Sequence, residues 1–243
     1  VCGVALTDWT RIPVCATCLK APPPLDAEYF CRSCRTPFST PYPLDHTGQC
    51  GLCRAGLNEF DSAYAYSAYE GVLRELIHLF KYSRVRPLAK VLGAYLGAAL
   101  PREERFDIVV PMPLHWVKRW RRGFNKSHLL AREVGRRSGV PVVRAVRRTR
   151  FTAPQAELSR AARRRNVRGA FALRRGIDVG GLRILLVDDV LTTGATANAC
   201  AAVLRRAGAQ YVAVLTLARA DRRVFLPGAP GEPEPAVLGR GEE

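Results

Sequence analysis

The stretch ILLVDDVLTTGAT, Ile184 to Thr196, constrains the fold more than any other part of the chain. Four apolar residues in a row suit a strand covered on both faces. Two adjacent carboxylates, Asp188 and Asp189, end the run, and carboxylates are costly to bury unless they meet an opening. A polar turn containing Gly194 follows and leads into the helical pattern TANACAAVLRRAG, closed by Gly208. Strand, turn and helix in this order put the two acids at the carboxyl edge of a parallel sheet, where α/β folds bind ligands.

The rest of the central region agrees with such a sheet. SAYAYSAY from Ser62 alternates as a strand does, and GVLRELIHLFKY spaces its apolar residues helically. PLAKVLGAYLGAAL is a second helix, opened by Pro87. FDIVVPMP is a buried strand stopped by Pro111 and Pro113. FNKSHLLAREVGRRSG is a helix ended by Gly139, and PVVRAV, GAFAL and YVAVLTLA are strands. Arg147 to Arg168 is expected to be a long loop with some helix. Strands alternating with helices predict an α/β fold with a mostly parallel sheet.

Residues 1–58 differ in texture, being rich in proline, cysteine and turn formers. The pairs CATC (Cys15, Cys18), CRSC (Cys31, Cys34) and CGLC (Cys50, Cys53) have knuckle spacing. Cys31, Cys34, Cys50 and Cys53 predict one closed structural zinc site. Cys2, Cys15 and Cys18 read as three ligands of a second. Its fourth is either a cysteine upstream of Val1 or missing, which leaves a three-thiolate remnant. Cys200, on the helix after the turn, reads as a small core residue. The expected domains are therefore 1–58, a zinc-ribbon module, and 59–222, the α/β domain. Residues 223–243, rich in Pro, Gly and Glu, form a disordered tail.

Charge is placed as unevenly as cysteine. Between Trp116 and Arg175 stand 19 of the 38 lysines and arginines, against only Glu133 and Glu157. A field of that sign attracts phosphates or nucleic acid, although long cations also simply solvate helix faces. Trp116, Trp120 and Phe124 are interleaved with these cations, as single-stranded nucleic acid requires. The same spacing of four would also turn aromatics toward a core. The best apolar stretch, Val91 to Leu100, is half the length of a membrane span. No secretion signal is visible, so the cytoplasm is the expected compartment. His46, His78, His115 and His128 share no ligand spacing and carry no expected catalysis.

The acidic pair beside an anion-holding turn has one economical interpretation. Backbone N–H groups at the helix start, with the hydroxyls of Thr192, Thr193 and Thr196, make a phosphate cradle across Gly194 and Ala195. The carboxylates accept hydrogen bonds from sugar hydroxyls or face a magnesium ion. A sugar phosphate needs both.

Hydrophobic residues, two acids and then T-T-G-x-T resemble the phosphoribosyl pyrophosphate (PRPP) motif of type I phosphoribosyltransferases. VPMPLH, RRGFNK, TAPQAELSRAARRRNVRGAF and the cysteine module further resemble the competence protein F (ComF) family. The resemblance runs from Cys2 to about Arg219. It departs at Lys126, where the family usually has glutamine, and at the incomplete first cysteine site. It implies a type I phosphoribosyltransferase-like domain behind a zinc ribbon, with PRPP and Mg2+ held by Asp188, Asp189 and residues 192–196. Asp188 and Asp189 would be the catalytic pair. Pro111, Met112 and Pro113 would form the pyrophosphate loop, with Arg122 and Lys81 reaching phosphate. Gln155, Arg160, Arg164 and Asn166 would belong to a flexible hood between Thr149 and Arg168.

The expected activity is transfer of phosphoribose to an acceptor that the sequence does not name, in a protein of DNA uptake and natural transformation. The alternative is a non-catalytic PRPP sensor that binds single-stranded DNA. A transcription regulator on this fold is a weaker third, without a visible helix-turn-helix. Implied partners are PRPP, single-stranded DNA and other DNA-uptake proteins, with no integral membrane segment. Implied locations are the cytoplasm or the inner face of the membrane, held peripherally.

Overall fold

The computed structural model describes residues 1–4, 11–38, 40–56, 58–83, 85–113, 125–149 and 169–220. At its centre lie four parallel strands: β3 (Ser62–Ala68), β4 (Ile108–Pro111), β7 (Arg183–Leu191) and β8 (Tyr211–Arg219). Their order in the sheet is β3-β8-β7-β4. Val187 pairs with Pro111 on one side and with Leu215 on the other, so β7 is central. Because every strand runs the same way, their carboxyl ends share one edge.

Successive side chains of a strand point to opposite faces, and here both faces are covered. Ile184 and Leu186 of β7, with Val212 and Val214 of β8, pack into one core. Leu185 and Val187, with Ala213 and Leu215, pack into the other. This second core is closed by three helices: α3 (Gly71–Tyr82), α4 (Leu88–Ala99) and α5 (Lys126–Ser138). Helix α5 starts at an Asn125 cap and stops at Gly139, whose φ of 74° suits a residue without Cβ. The first core is closed by α6 (Ala195–Arg206) and by a hairpin of β5 (Val146–Arg148) and β6 (Phe171–Leu173).

Two boundaries differ from expectation. The segment 141–146 is not one strand: Val142 makes a single parallel bridge to Val109, and the chain then turns away. Its strand is displaced to Val146–Arg148, so Arg147 and Arg148 leave the expected loop and pair with Ala172 and Phe171. Pairing to β6 decides this, since Val146 is buried at Leu173 whereas Arg147 faces outward. The expected hood positions, Arg122, and Trp116, Trp120 and Phe124 lie outside the described residues, as does the tail.

The cysteine-rich segment contributes the short elements α1 (Ala16–Lys20), β1 (Tyr29–Phe30), β2 (Pro37–Phe38) and α2 (Gly51–Arg54). It passes around the edge of β3. Val14 and Cys18 enter the core of α3 and α4, whereas Cys31, Cys34, Phe38 and Cys50 enter the opposite core with Ile184 and Leu186. Between them the Leu25 amide donates to the Tyr66 carbonyl of β3 at 2.5 Å, and Tyr66 Oη donates to the Pro22 carbonyl at 3.0 Å. An edge strand that would otherwise offer free backbone groups is thereby covered. Among the described residues, no helix is long and apolar enough to cross a membrane.

Candidate functional site

At the carboxyl edge of the sheet, β7 ends on the acidic pair and Leu191. The chain turns through Thr192, Thr193 and Gly194, then enters α6 at Ala195. Gly194 has φ 73°, a left-handed conformation that a side chain would strain. Thr193 Oγ1 accepts from the Ala195 amide at 3.4 Å. The amides of a helix's first turn have no partner within the helix, and they carry the positive end of its dipole. An open cavity of about 280 Å³ faces this turn. Asp188, Asp189, Thr192, Gly194, Ala195 and Thr196 line it together, with Lys81 and Met112 opposite.

Each carboxylate has its own partner from a different helix. Asp189 Oδ1 lies 3.0 Å from Lys81 Nζ, at the last turn of α3. Asp188 Oδ1 accepts from Ser127 Oγ at 2.8 Å and from the Asp189 amide at 2.9 Å. Ser127 sits in the first turn of α5 because Asn125 holds that helix start twice. Asn125 Oδ1 accepts from the Ser127 amide at 3.1 Å, and its Nδ2 donates to the Met112 carbonyl at 3.1 Å. Lys126, between them, is buried. Its amine donates to the Lys81 carbonyl and stands 5.2 Å from the centre of the Tyr82 ring. A cation at the carboxyl end of α3 suits that helix's dipole.

These contacts shift the titration of the site. Burial of its carboxyl group, and then the charge of Asp189, push the Asp188 pKa up to about 7, against the opposing pull of Ser127 and Lys81. Burial works against the Lys81 ammonium, but the charge and hydrogen bond of Asp189 outweigh it and raise its pKa. Across the sheet, Cys200 is fully buried with its Sγ 3.3 Å from Met112 Sδ, the core role expected of it.

A second cluster lies on the N-terminal segment. The sulfurs of Cys31, Cys34, Cys50 and Cys53 all lie within 4.8 Å of one another. Cys31 to Cys53 is 3.7 Å and Cys34 to Cys50 is 3.6 Å. Zinc–thiolate bonds of about 2.3 Å in a tetrahedron require sulfur separations of about 3.8 Å, so these residues fit the ion. Hydrogen bonds from Cys34 and Cys50 push the Cys31 thiol well below its ordinary range, and the bond to Cys31 pushes Cys50 well above. A divalent cation at the centre of the cluster would stabilise the coordinating sulfurs as thiolates. Cys2, Cys15 and Cys18 form a three-sulfur group, with Cys2 and Cys15 separated by 3.5 Å.

Comparison with known proteins decides the family. A model described as the phosphoribosyl transferase domain matches residues 121–227. The chain is 33% identical over 226 residues to the DNA utilization protein YhgH of Salmonella typhi, covering 89% of this chain and 93% of that one. It is 32% identical over 179 residues to Competence protein F of Haemophilus influenzae, covering 70% and 78%. The chain belongs to the competence protein F family. Among solved structures it is similar to the allosteric regulatory enzyme of purine biosynthesis, at 26% identity and a TM-score of 0.39, over 54% of this chain and 26% of that one. The family model, the relatives and the parallel sheet give the fold: a type I phosphoribosyltransferase-like α/β domain with the family's cysteine-rich segment at its N-terminal side.

Of the residues singled out in the sequence, the cavity gathers Lys81, Met112, Asp188, Asp189, Thr192, Gly194, Ala195 and Thr196. Pro111, Pro113 and Thr193 stand next to lining residues without lining it. Sequence reasoning missed Ser127, Asn125, Tyr69 and Thr216. Tyr69 lines the cavity from just past the end of β3, and Thr216 from within β8, where it pairs with Asp188. Asn125 lies within RRGFNK and Ser127 directly after it, and no spacing rule assigns a lone serine to a carboxylate 61 residues away.

Proposed function

We propose that the cavity binds PRPP with Mg2+. The observation that carries this is the acidic pair, held by Ser127 and Lys81, facing the first turn of α6 across one cavity. Asp188 and Asp189 accept hydrogen bonds from the ribose hydroxyls, and residues 192–196 hold the 5-phosphate on the helix start. Lys81 and the end of β4 at Pro111 face the pyrophosphate side, to which the family resemblance also assigns Met112, Pro113 and Arg122. Mg2+, when bound, supplies charge neutralisation for the pyrophosphate. In a phosphoribosyl transfer the chain's work is to position the sugar and stabilise the leaving group. The hood of Gln155, Arg160, Arg164 and Asn166 would exclude water.

The names of the relatives, DNA utilization protein and Competence protein F, support a DNA-uptake role for this chain. One feature outside the cavity favours the second, nucleic-acid-binding reading. Arg86, Lys90, Arg132 and Arg136 line a groove of about 700 Å³ between α4 and α5, with Glu133 the acid among them. Four cations along one groove suit a phosphodiester backbone. Pyrophosphate release and PRPP binding, followed on the same protein, test the enzyme reading. Saturable binding with release on adding an acceptor supports transferase activity. Saturable binding without release supports sensing, and no binding rejects both.

A further inference from the structure

The four-thiolate cluster and the phosphate turn are far apart in sequence but joined by three sets of contacts. The first runs through two asparagines. Asn58 Nδ2 donates to Cys53 Sγ at 3.1 Å, and Asn58 Oδ1 accepts from Asn198 Nδ2 at 3.5 Å. Asn198 Oδ1 in turn accepts from the Glu59 amide at 2.9 Å, and the Asn198 amide donates to the Gly194 carbonyl at 2.8 Å. Asn198 therefore holds the first turn of α6 to the chain leaving Cys53.

The second set runs through a buried arginine. Arg219, at the end of β8, donates to the Cys34 carbonyl at 3.4 Å and to Thr36 Oγ1, which lies 2.8 Å from Cys34 Sγ. The backbone of Arg219 is paired with Leu191, the residue before Thr192. The third is packing. Phe60 is buried in the core that contains Cys31, Cys34 and Cys50, and its ring lies beside Gly194. The turn is thus gripped on its strand side, at its glycine and on its helix side by residues anchored to the cluster.

Thiolates around a metal are oriented by the donors they accept from, and those donors are sensitive to whether the metal is bound. We infer that the Cys31–Cys34–Cys50–Cys53 cluster, when it holds its metal, sets the position of the phosphate turn, with Asn58, Asn198 and Arg219 as positioning residues. The inference rests on the proposal that this turn holds the phosphate of PRPP, and it adds that metal occupancy regulates that site. By linkage, ligand at the turn must tighten the metal by the same factor. Nothing about closed four-thiolate coordination requires this, since a ribbon docked elsewhere would leave the turn unaffected.

The test uses the full chain loaded with zinc and reads amide hydrogen exchange across residues 192–199. Asn58→Ala keeps all four thiolates and is studied at saturating zinc. Exchange at the turn is expected to rise while β7 and β8 keep wild-type protection. PRPP affinity is expected to fall by about tenfold, the lower end of what losing a ligand's supporting partner costs. Asn198→Ala touches no sulfur, yet it should speed the transfer of zinc to a chelator, which a purely local role for Asn198 would not do. Wild-type exchange at the turn in zinc-loaded Asn58→Ala, with unchanged zinc transfer in Asn198→Ala, overturns the inference. So does wild-type protein that takes up no zinc. If PRPP fails to bind the wild type, the proposed ligand is wrong, and exchange and zinc transfer still decide the coupling.

Discussion

Ser127 Oγ donates to Asp188 Oδ1 at 2.8 Å, joining the first turn of α5 to the end of the central strand. The bond opposes the burial that pushes Asp188 toward its neutral form. Removing the hydroxyl in Ser127→Ala leaves the carboxylate less stable as an anion. Hydrogen bonds to charged groups contribute about 1.5–3 kcal/mol, so PRPP affinity at neutral pH is expected to fall by about tenfold or more. Calorimetric titration of the variant checks this, and an unchanged affinity shows that Ser127 is a bystander.

Asp188 also predicts a pH dependence. Its pKa in the fold is about 7, against roughly 3.9 for an unfolded aspartate. Between those values the folded chain holds the proton more tightly, so the group's contribution to stability is full below the unfolded value. It is lost as pH rises through about 7. Thermal melts of the wild type against Asp188→Asn should show that decline only in the wild type. Ligand binding should run the other way, because the ionised form is the one that meets Mg2+ and ribose hydroxyls. PRPP affinity is expected to drop by up to about tenfold per pH unit below 7 and to level above it.

Cys31, Cys34 and Cys50 of the cysteine segment share a core with Ile184 and Leu186 of β7. Stripping the metal should therefore destabilise more than residues 1–58. Chelated protein, or Cys50→Ser, is expected to melt in one transition at a lower temperature, because metal binding and folding are linked. Elemental analysis should find zinc in freshly reduced protein. Two separate transitions, with the α/β domain unchanged, would show the segment to be independent.

For nucleic acid, the groove between α4 and α5 makes the prediction specific. Single-stranded DNA binding should weaken log-linearly with salt, and Arg132→Ala with Arg136→Ala should flatten that slope by about 0.7 per lost phosphate contact. Filter binding over a salt series measures it. Arg136 also pairs with Glu133 at 2.9 Å, so its loss should be the milder of the two. Absence of binding at low salt would make these cations a solvated helix surface.

The sheet and the acidic pair were legible in the sequence for physical reasons. Ile184 to Val187 is apolar at every position because both faces are covered, and the acids begin where the cover ends. The turn into α6 was equally plain, since Gly194 and its threonines are local features. Contacts set by packing were not. Nothing local in the sequence marks Ser127, Lys126 and Asn58 as partners of Asp188, Lys81 and Cys53. The strand at Val146–Arg148 was misplaced because its register depends on Phe171–Leu173, more than twenty residues later. The position of the cysteine cluster depends on Arg219 and Phe60, which no knuckle spacing encodes.

The central claim is that PRPP sits between the acidic pair and the start of α6. Titrating PRPP into wild-type protein and into Asp188→Ala/Asp189→Ala, both in excess Mg2+ and both shown to be folded, tests it most directly. Saturable binding by the wild type, abolished in the double variant, is the predicted result. Undiminished affinity in the double variant would contradict it.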